Sequence, residues 1–97
     1  MVKHIVMFKF SGTDEERLDV AKSFRDALVA LPAQIEQLRS IEVGININPA
    51  ETWNLVLTAT ADTMADVAAY SAHPAHLDAV ALIAGHKEAR ACVDYEV

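Results

Sequence analysis

A chain of 97 residues, 53% hydrophobic and 23% charged, has the length and composition of one small globular domain and too much apolar content for disorder. Its net charge of −6, with Lys and Arg scattered singly, argues against nucleic acid and against an anionic membrane surface, both of which need a basic stripe. No run approaches the ~20 apolar residues of a membrane span, the N-terminus lacks the apolar core of a signal peptide, and the single Cys92 has no disulfide partner, so a cytoplasmic location is expected.

Val2 to Phe10 alternates in strand formers, with His4, Val6, Phe8 and Phe10 on one face and Lys3, Ile5, Met7 and Lys9 on the other. Ser11-Gly12 breaks the run. Thr13 and Glu16 have capping-box spacing, and Leu18, Ala21, Phe24, Leu28 and Leu31 then recur at steps of three and four, predicting a helix that stops at Pro32. Residues 33–39 read as a loop or a short helical turn. Ile41, Val43, Ile45 and Ile47 alternate with Glu42, Gly44 and Asn46 in a second strand, closed by Asn48-Pro49; Gly44 inside it marks a bulge or close packing. A third strand runs from Trp53 to Ala61, with Trp53, Leu55 and Leu57 opposite Asn54, Val56 and Thr58; Trp53 is expected in the core. Thr63 with Asp66 caps a helix to about Ala72. Pro74 opens the next, in which Leu77, Val80, Ala81 and Ala84 precede a stop at Gly85. Ala91, Val93, Tyr95 and Val97 alternate with Cys92, Asp94 and Glu96 in a fourth strand. The order βαββαβ, with its second helix broken in two, predicts one α+β domain over residues 1–97. Its class is ferredoxin-like, a four-stranded antiparallel sheet with helices on one face.

Helices can cover only one face of that sheet, yet the first and third strands carry apolar residues on both (Ile5 and Met7 behind Val6 and Phe8, Val56 behind Leu55 and Leu57). A solvated second face is mostly polar, so the pattern predicts a homodimer in which two sheets face each other.

The segment Tyr70-Ser71-Ala72-His73-Pro74-Ala75-His76 concentrates a phenol and two imidazoles where one helix stops and another starts. Pro74 has no N–H and disfavours helical geometry at the residue before it, which places His73 at the N-cap and His76 in the first turn of the new helix. A neutral His beside a Tyr is acid–base equipment. Polar side chains at such a corner also satisfy loose backbone groups without any chemistry. Both roles are open at this point. His86, after Gly85, reads as a surface residue. His73 and His76 share a helix face, but a zinc site takes three or four protein ligands, and no Cys or carboxylate stands at a partner spacing, so no metal is expected. With no Gly-rich phosphate loop either, no cofactor is expected. Cys92 lies on the alternate face of the last strand and is expected to have no nearby cationic group to activate it.

Taken together, Val2-Lys3-His4-Ile5-Val6 with Phe8-Lys9, Ile41-Glu42-Val43-Gly44, the Tyr70–His76 segment and Val93-Asp94-Tyr95 give a sequence that resembles, end to end, the stress-responsive dimeric α/β barrel (Dabb) domain family. The resemblance implies a ferredoxin-like protomer whose sheet pairs with a second copy to form a barrel. It also implies a pocket between sheet and helices. In a plant branch resembling polyketide cyclases, a His at the position of His76 acts as the proton-transfer base and a Tyr at the position of Tyr70 assists it, so His76 and Tyr70 are the candidate catalytic residues. His4, Phe24, Leu55 and His73 are the candidate ligand-binding residues. Phe24 and Leu55 stand where that branch has polar side chains, which implies a more apolar ligand here. The leading expectation is a homodimer binding a small, largely apolar ligand in a stress or accessory role. The alternatives are a cofactor-free cyclase or isomerase and, from the related barrel superfamily, a cofactor-free monooxygenase.

Overall fold

Alternation puts Val2, His4, Val6, Phe8 and Phe10 of β1 (Val2–Phe10) on a buried face in the computed structural model, which describes residues 1–97. After Gly12, whose φ of 112° is left-handed backbone suited to glycine, α1 (Asp14–Val29) begins in the predicted capping box. Glu16 donates its backbone N–H to Thr13 Oγ1 at 3.2 Å, and its carboxylate accepts the Thr13 N–H at 3.1 Å. These bonds to Thr13 hold the Glu16 carboxyl below its ordinary pKa. Ala21, Phe24 and Leu28 face the core, whereas Leu18, at the start of the expected stripe, is exposed. Pro32 lies in a short 3-10 turn, Leu31–Ala33, that follows the helix.

The remaining elements are β2 (Ser40–Ile45), β3 (Leu55–Ala61), α2 (Met64–Ala72), α3 (Pro74–Ala81) and β4 (Lys87–Glu96). The sheet has the strand order β2-β3-β1-β4 with every neighbouring pair antiparallel, the ferredoxin-like arrangement that the element order predicts. An Arg39–Asp62 fork, with bonds of 3.1 and 2.5 Å, ties the approach to β2 to the end of β3. Phe10, Phe24, Leu28, Leu31, Ile35, Leu55 and Ile83 are enclosed between sheet and helices. Full burial of each such side chain contributes about 1.5–3 kcal/mol.

Several details depart from the periodicity. β2 ends at Ile45 and Ile47 is exposed, because the chain turns at Asn46, whose side chain accepts the Asn48 N–H at 2.8 Å. β3 starts at Leu55; the side chain of Asn54 takes the Phe10 N–H at 2.8 Å where the ladder would otherwise continue. Trp53 is only half-buried and lies under Lys9, whose Nζ is 4.8 Å from the ring centre. α3 ends at Ala81, four residues before Gly85, and its inward residue is Ala79, joined by Ile83 of the following turn, while Leu77 is exposed. Gly44 lies in regular pairing opposite Val56; the register shift of the sheet falls instead between β1 and β4, at Lys9/Phe10.

The fourth strand presents its apolar row outward. Val93 and Tyr95 are 62% and 46% exposed, while Arg90, Cys92 and Asp94 pair with Phe8, Val6 and His4 on the helix side. The uncovered sheet face therefore carries Ile5, Met7, Val56, Ala91, Val93 and Tyr95, a wider apolar surface than β1 and β3 alone predict. No helix of the chain is long and apolar enough to cross a membrane.

Candidate functional site

Pro74 builds the site. It ends α2 and starts α3, and His73 between them has extended backbone (φ −65°, ψ 136°) and serves as N-cap. His73 Nδ1 accepts the Ala75 N–H at 3.0 Å, so its proton sits on Nε2 and the ring is engaged in capping. One turn further, His76 Nδ1 lies 2.8 Å from the Ser71 carbonyl oxygen. A carbonyl only accepts, so Nδ1 carries the hydrogen and Nε2 keeps its lone pair. Burial is the main cause that holds the His76 pKa below its ordinary value, with smaller effects from His4 and Arg90 in the same direction. The ring is thus a neutral base at physiological pH.

Tyr70, at the C-terminal end of α2, is 1% exposed, and its ring centre lies 4.5 Å from that of His76. Its hydroxyl is buried and no protein group is within hydrogen-bonding distance. Burial pushes its pKa up to about 12, so it remains a donor across the working pH range. The His4 ring from β1 meets Tyr70 edge-on, its centre 6.0 Å away. His4 Nδ1 is 2.6 Å from Asp94 Oδ1 on the adjacent strand, a contact in which the imidazole donates and the carboxylate fixes its orientation.

These groups converge on one cavity of about 160 Å³. Val6, Phe8, Phe24, Leu57 and Val80 form its apolar wall; His4, Tyr70, Ser71 and His76 form its polar end; Lys87 and Arg90 reach it from β4. Of the residues expected from sequence, His4, Phe24, Tyr70 and His76 come together there. Leu55 is buried in the core and borders a separate groove with Trp53, Met7 and Val56 on the uncovered sheet face, and His73 stays at the helix cap.

Sequence spacing missed two features. The first is the His4–Cys92–Asp94 cluster, whose donor atoms lie within 4.8 Å of one another although His4 is 88 and 90 positions from the other two. Here Cys92 does have a cation near it, Arg90, but burial and the Asp94 carboxylate outweigh it and push the thiol pKa up, so Cys92 is a protonated neighbour and not a nucleophile. The second is the Lys87 and Arg90 pair, which reads in sequence as ordinary charges on an alternating strand.

A family model described as Stress responsive A/B Barrel Domain matches residues 2–97. A dimeric protein of unknown function and ferredoxin-like fold from Bacteroides fragilis is 51% identical, with a TM-score of 0.96 over 99% of this chain and 95% of that one. A dimeric ferredoxin-like protein of unknown function from Thermobifida fusca is 26% identical, with a TM-score of 0.80 over 99% and 90% of the two chains. Hydroxynitrile lyase from Passiflora edulis is 16% identical, with a TM-score of 0.76 over 99% and 92%, a likeness of fold. A comparison with curated proteins finds no match to this sequence.

Proposed function

Because the chain belongs to the stress-responsive A/B barrel (Dabb) family, we propose that it is a homodimer that binds a small, largely apolar carbonyl compound between sheet and helices and moves a proton on it. The observation that carries this reading is the Tyr70 hydroxyl, a buried donor for which the fold supplies no acceptor, set beside a neutral imidazole in a mainly apolar cavity. Leaving a buried hydroxyl unpaired costs about 1–3 kcal/mol, and a ligand oxygen would recover it.

The chemistry follows from the two groups. His76 Nε2 takes the proton from the carbon next to a carbonyl. The C–H electron pair forms the new C–C π bond, and the carbonyl π pair moves onto oxygen. Tyr70 donates to that oxygen as its charge grows, and Asp94 keeps the His4 ring in place as the second polar wall. Return of the proton from His76 to the same or another carbon completes an exchange or isomerisation; attack of the enolate carbon on a second carbonyl of the same chain gives cyclisation. The apolar wall keeps the reacting atoms from water and holds a flexible ligand folded.

The homodimer rests on the apolar sheet face of Ile5, Met7, Val56, Val93 and Tyr95 and on the dimeric description of the 51% identical Bacteroides fragilis protein. The proton-transfer reading is tested by following hydrogen–deuterium exchange at the α-carbon of phenylacetone in D2O by NMR. Wild type should accelerate exchange, and His76→Ala should lower the rate by roughly 10²–10⁴ while remaining dimeric and folded. Equal rates for the two proteins would sink the catalytic assignment of His76.

A further inference from the structure

Residues three apart on a regular strand point to opposite faces, yet Lys87 and Arg90 both border the His76 cavity. The register shift is the reason. Arg90 pairs with Phe8, Lys9 pairs with Ala89, and Phe10 then pairs with Lys87, so Glu88 is passed over and Lys87 is returned to the helix side. Bulges commonly re-aim a side chain beside a site. Here the result is that two of the eight basic residues of an acidic chain stand at the mouth of one cavity.

Neither has a counter-ion within the protein. The ion pairs of the protein are His4–Asp94, Arg17–Asp14, Arg25–Asp26 and Arg39–Asp62, and none involves Lys87 or Arg90. Arg90 is near enough for its charge to act on Tyr70, His76 and Cys92 alike. Two cations without counter-ions above an apolar cavity of about 160 Å³ describe a ligand with an anionic end and an apolar body. An apolar cavity of ~150 Å³ holds one benzene molecule, which sets the size of that body.

We infer that the cavity selects small carboxylic acids, about one ring in size, with the carboxylate between Arg90 and Lys87 and the apolar body against Val6, Phe8 and Phe24. The inference rests on the same cavity as the proton-transfer reading and names its ligand class: a keto acid would place its acid group on the two cations and its carbonyl toward Tyr70. Guanidinium presents a planar fork that matches a carboxylate, and the ammonium supplies a second charge-assisted bond.

The test compares benzoate with benzamide, a neutral compound of nearly the same shape, by chemical-shift titration of isotope-labelled protein at low salt. Benzoate should bind roughly 10–100-fold more tightly, with shifts near Tyr70, His76 and Arg90. Arg90→Gln and Lys87→Gln should each reduce the preference, and the double variant should abolish it; both side chains are exposed, so the fold should tolerate the changes. Equal affinity for the two compounds, a preference that survives in the double variant, or no binding of either at millimolar concentration would overturn the inference. Wild type read in both assays separates the two readings: a benzoate preference without phenylacetone exchange removes the catalyst and keeps the ligand class, whereas exchange without a preference does the reverse.

Discussion

Removing the Tyr70 hydroxyl is a sharp test, because stability and function should move in opposite directions. In most proteins a buried Tyr→Phe change loses a hydrogen bond and costs about 0.5–1.5 kcal/mol. Here no protein group accepts from the hydroxyl, so Tyr70→Phe has no such bond to lose and removes a polar atom from a buried position. The ring, 1% exposed and packed against His76 and His4, keeps its contacts. The expected change in folding stability therefore lies between zero and a gain of about 2 kcal/mol, the lower end applying where solvent in the cavity reaches the hydroxyl. In urea, with a slope of about 1–3 kcal/mol/M, a gain of ~1 kcal/mol moves the midpoint up by roughly 0.3–1 M. The melting temperature should rise by about 4–8 °C per kcal/mol for a chain of this size. Wild type and variant must be compared at equal protein concentration, since dimerisation couples to apparent stability. Phenylacetone exchange should fall by roughly 10–1000-fold in the same variant, because the oxyanion loses its donor. A stability loss greater than about 1 kcal/mol would show that the hydroxyl has a structural partner and would sink the argument; unchanged exchange would remove Tyr70 from the chemistry.

Three further outcomes can be measured. Burial holds the folded-state pKa of His76 below the ordinary His value of about 6.5, so the unfolded chain binds a proton there first as pH falls. Stability should be fully present above about pH 6.5 and decline on acidification toward the lowered folded value, and urea midpoints across that range should show a shallower decline in His76→Gln. Exchange activity should keep its acidic limb below pH 6.5 for the same reason; a limb above 6.5 would contradict a desolvated base. On the uncovered sheet face, Met7→Glu puts an unpaired carboxylate at the centre of the proposed interface, and the several-kcal/mol cost of burying it should weaken dimerisation by 10² or more. Sedimentation equilibrium would read the monomer directly, and an unchanged dimer would move the interface elsewhere.

Much of the molecule was legible along the chain because the forces involved act over a few residues. Alternation in Val2–Phe10, the Thr13–Glu16 reciprocal bonds and the helix break at Pro74 depend on neighbours within one turn or one pleat, and each recurs in the structure where the periodicity puts it. The pairing of His76 with Tyr70 was legible for the same reason, since six residues and one proline fix their relation. A helix rotation was harder: Leu77 and Leu18 look like core residues by spacing, yet both are exposed, because the face a helix buries is decided by what packs against it.

What the chain by itself determined, then, is the set of elements, their order and the two groups at the helix break. The tertiary structure alone decided which surfaces meet. His4 and Asp94 become partners only through the β1–β4 register, which joins the two ends of the sequence. Lys87 shares the cavity with Arg90 only because that register slips by one residue at Lys9/Phe10. A strand's faces alternate with a period of two, so a single slipped residue exchanges inside for outside. No local pattern encodes such a slip; it arises where two distant strands settle their pairing against a shared core.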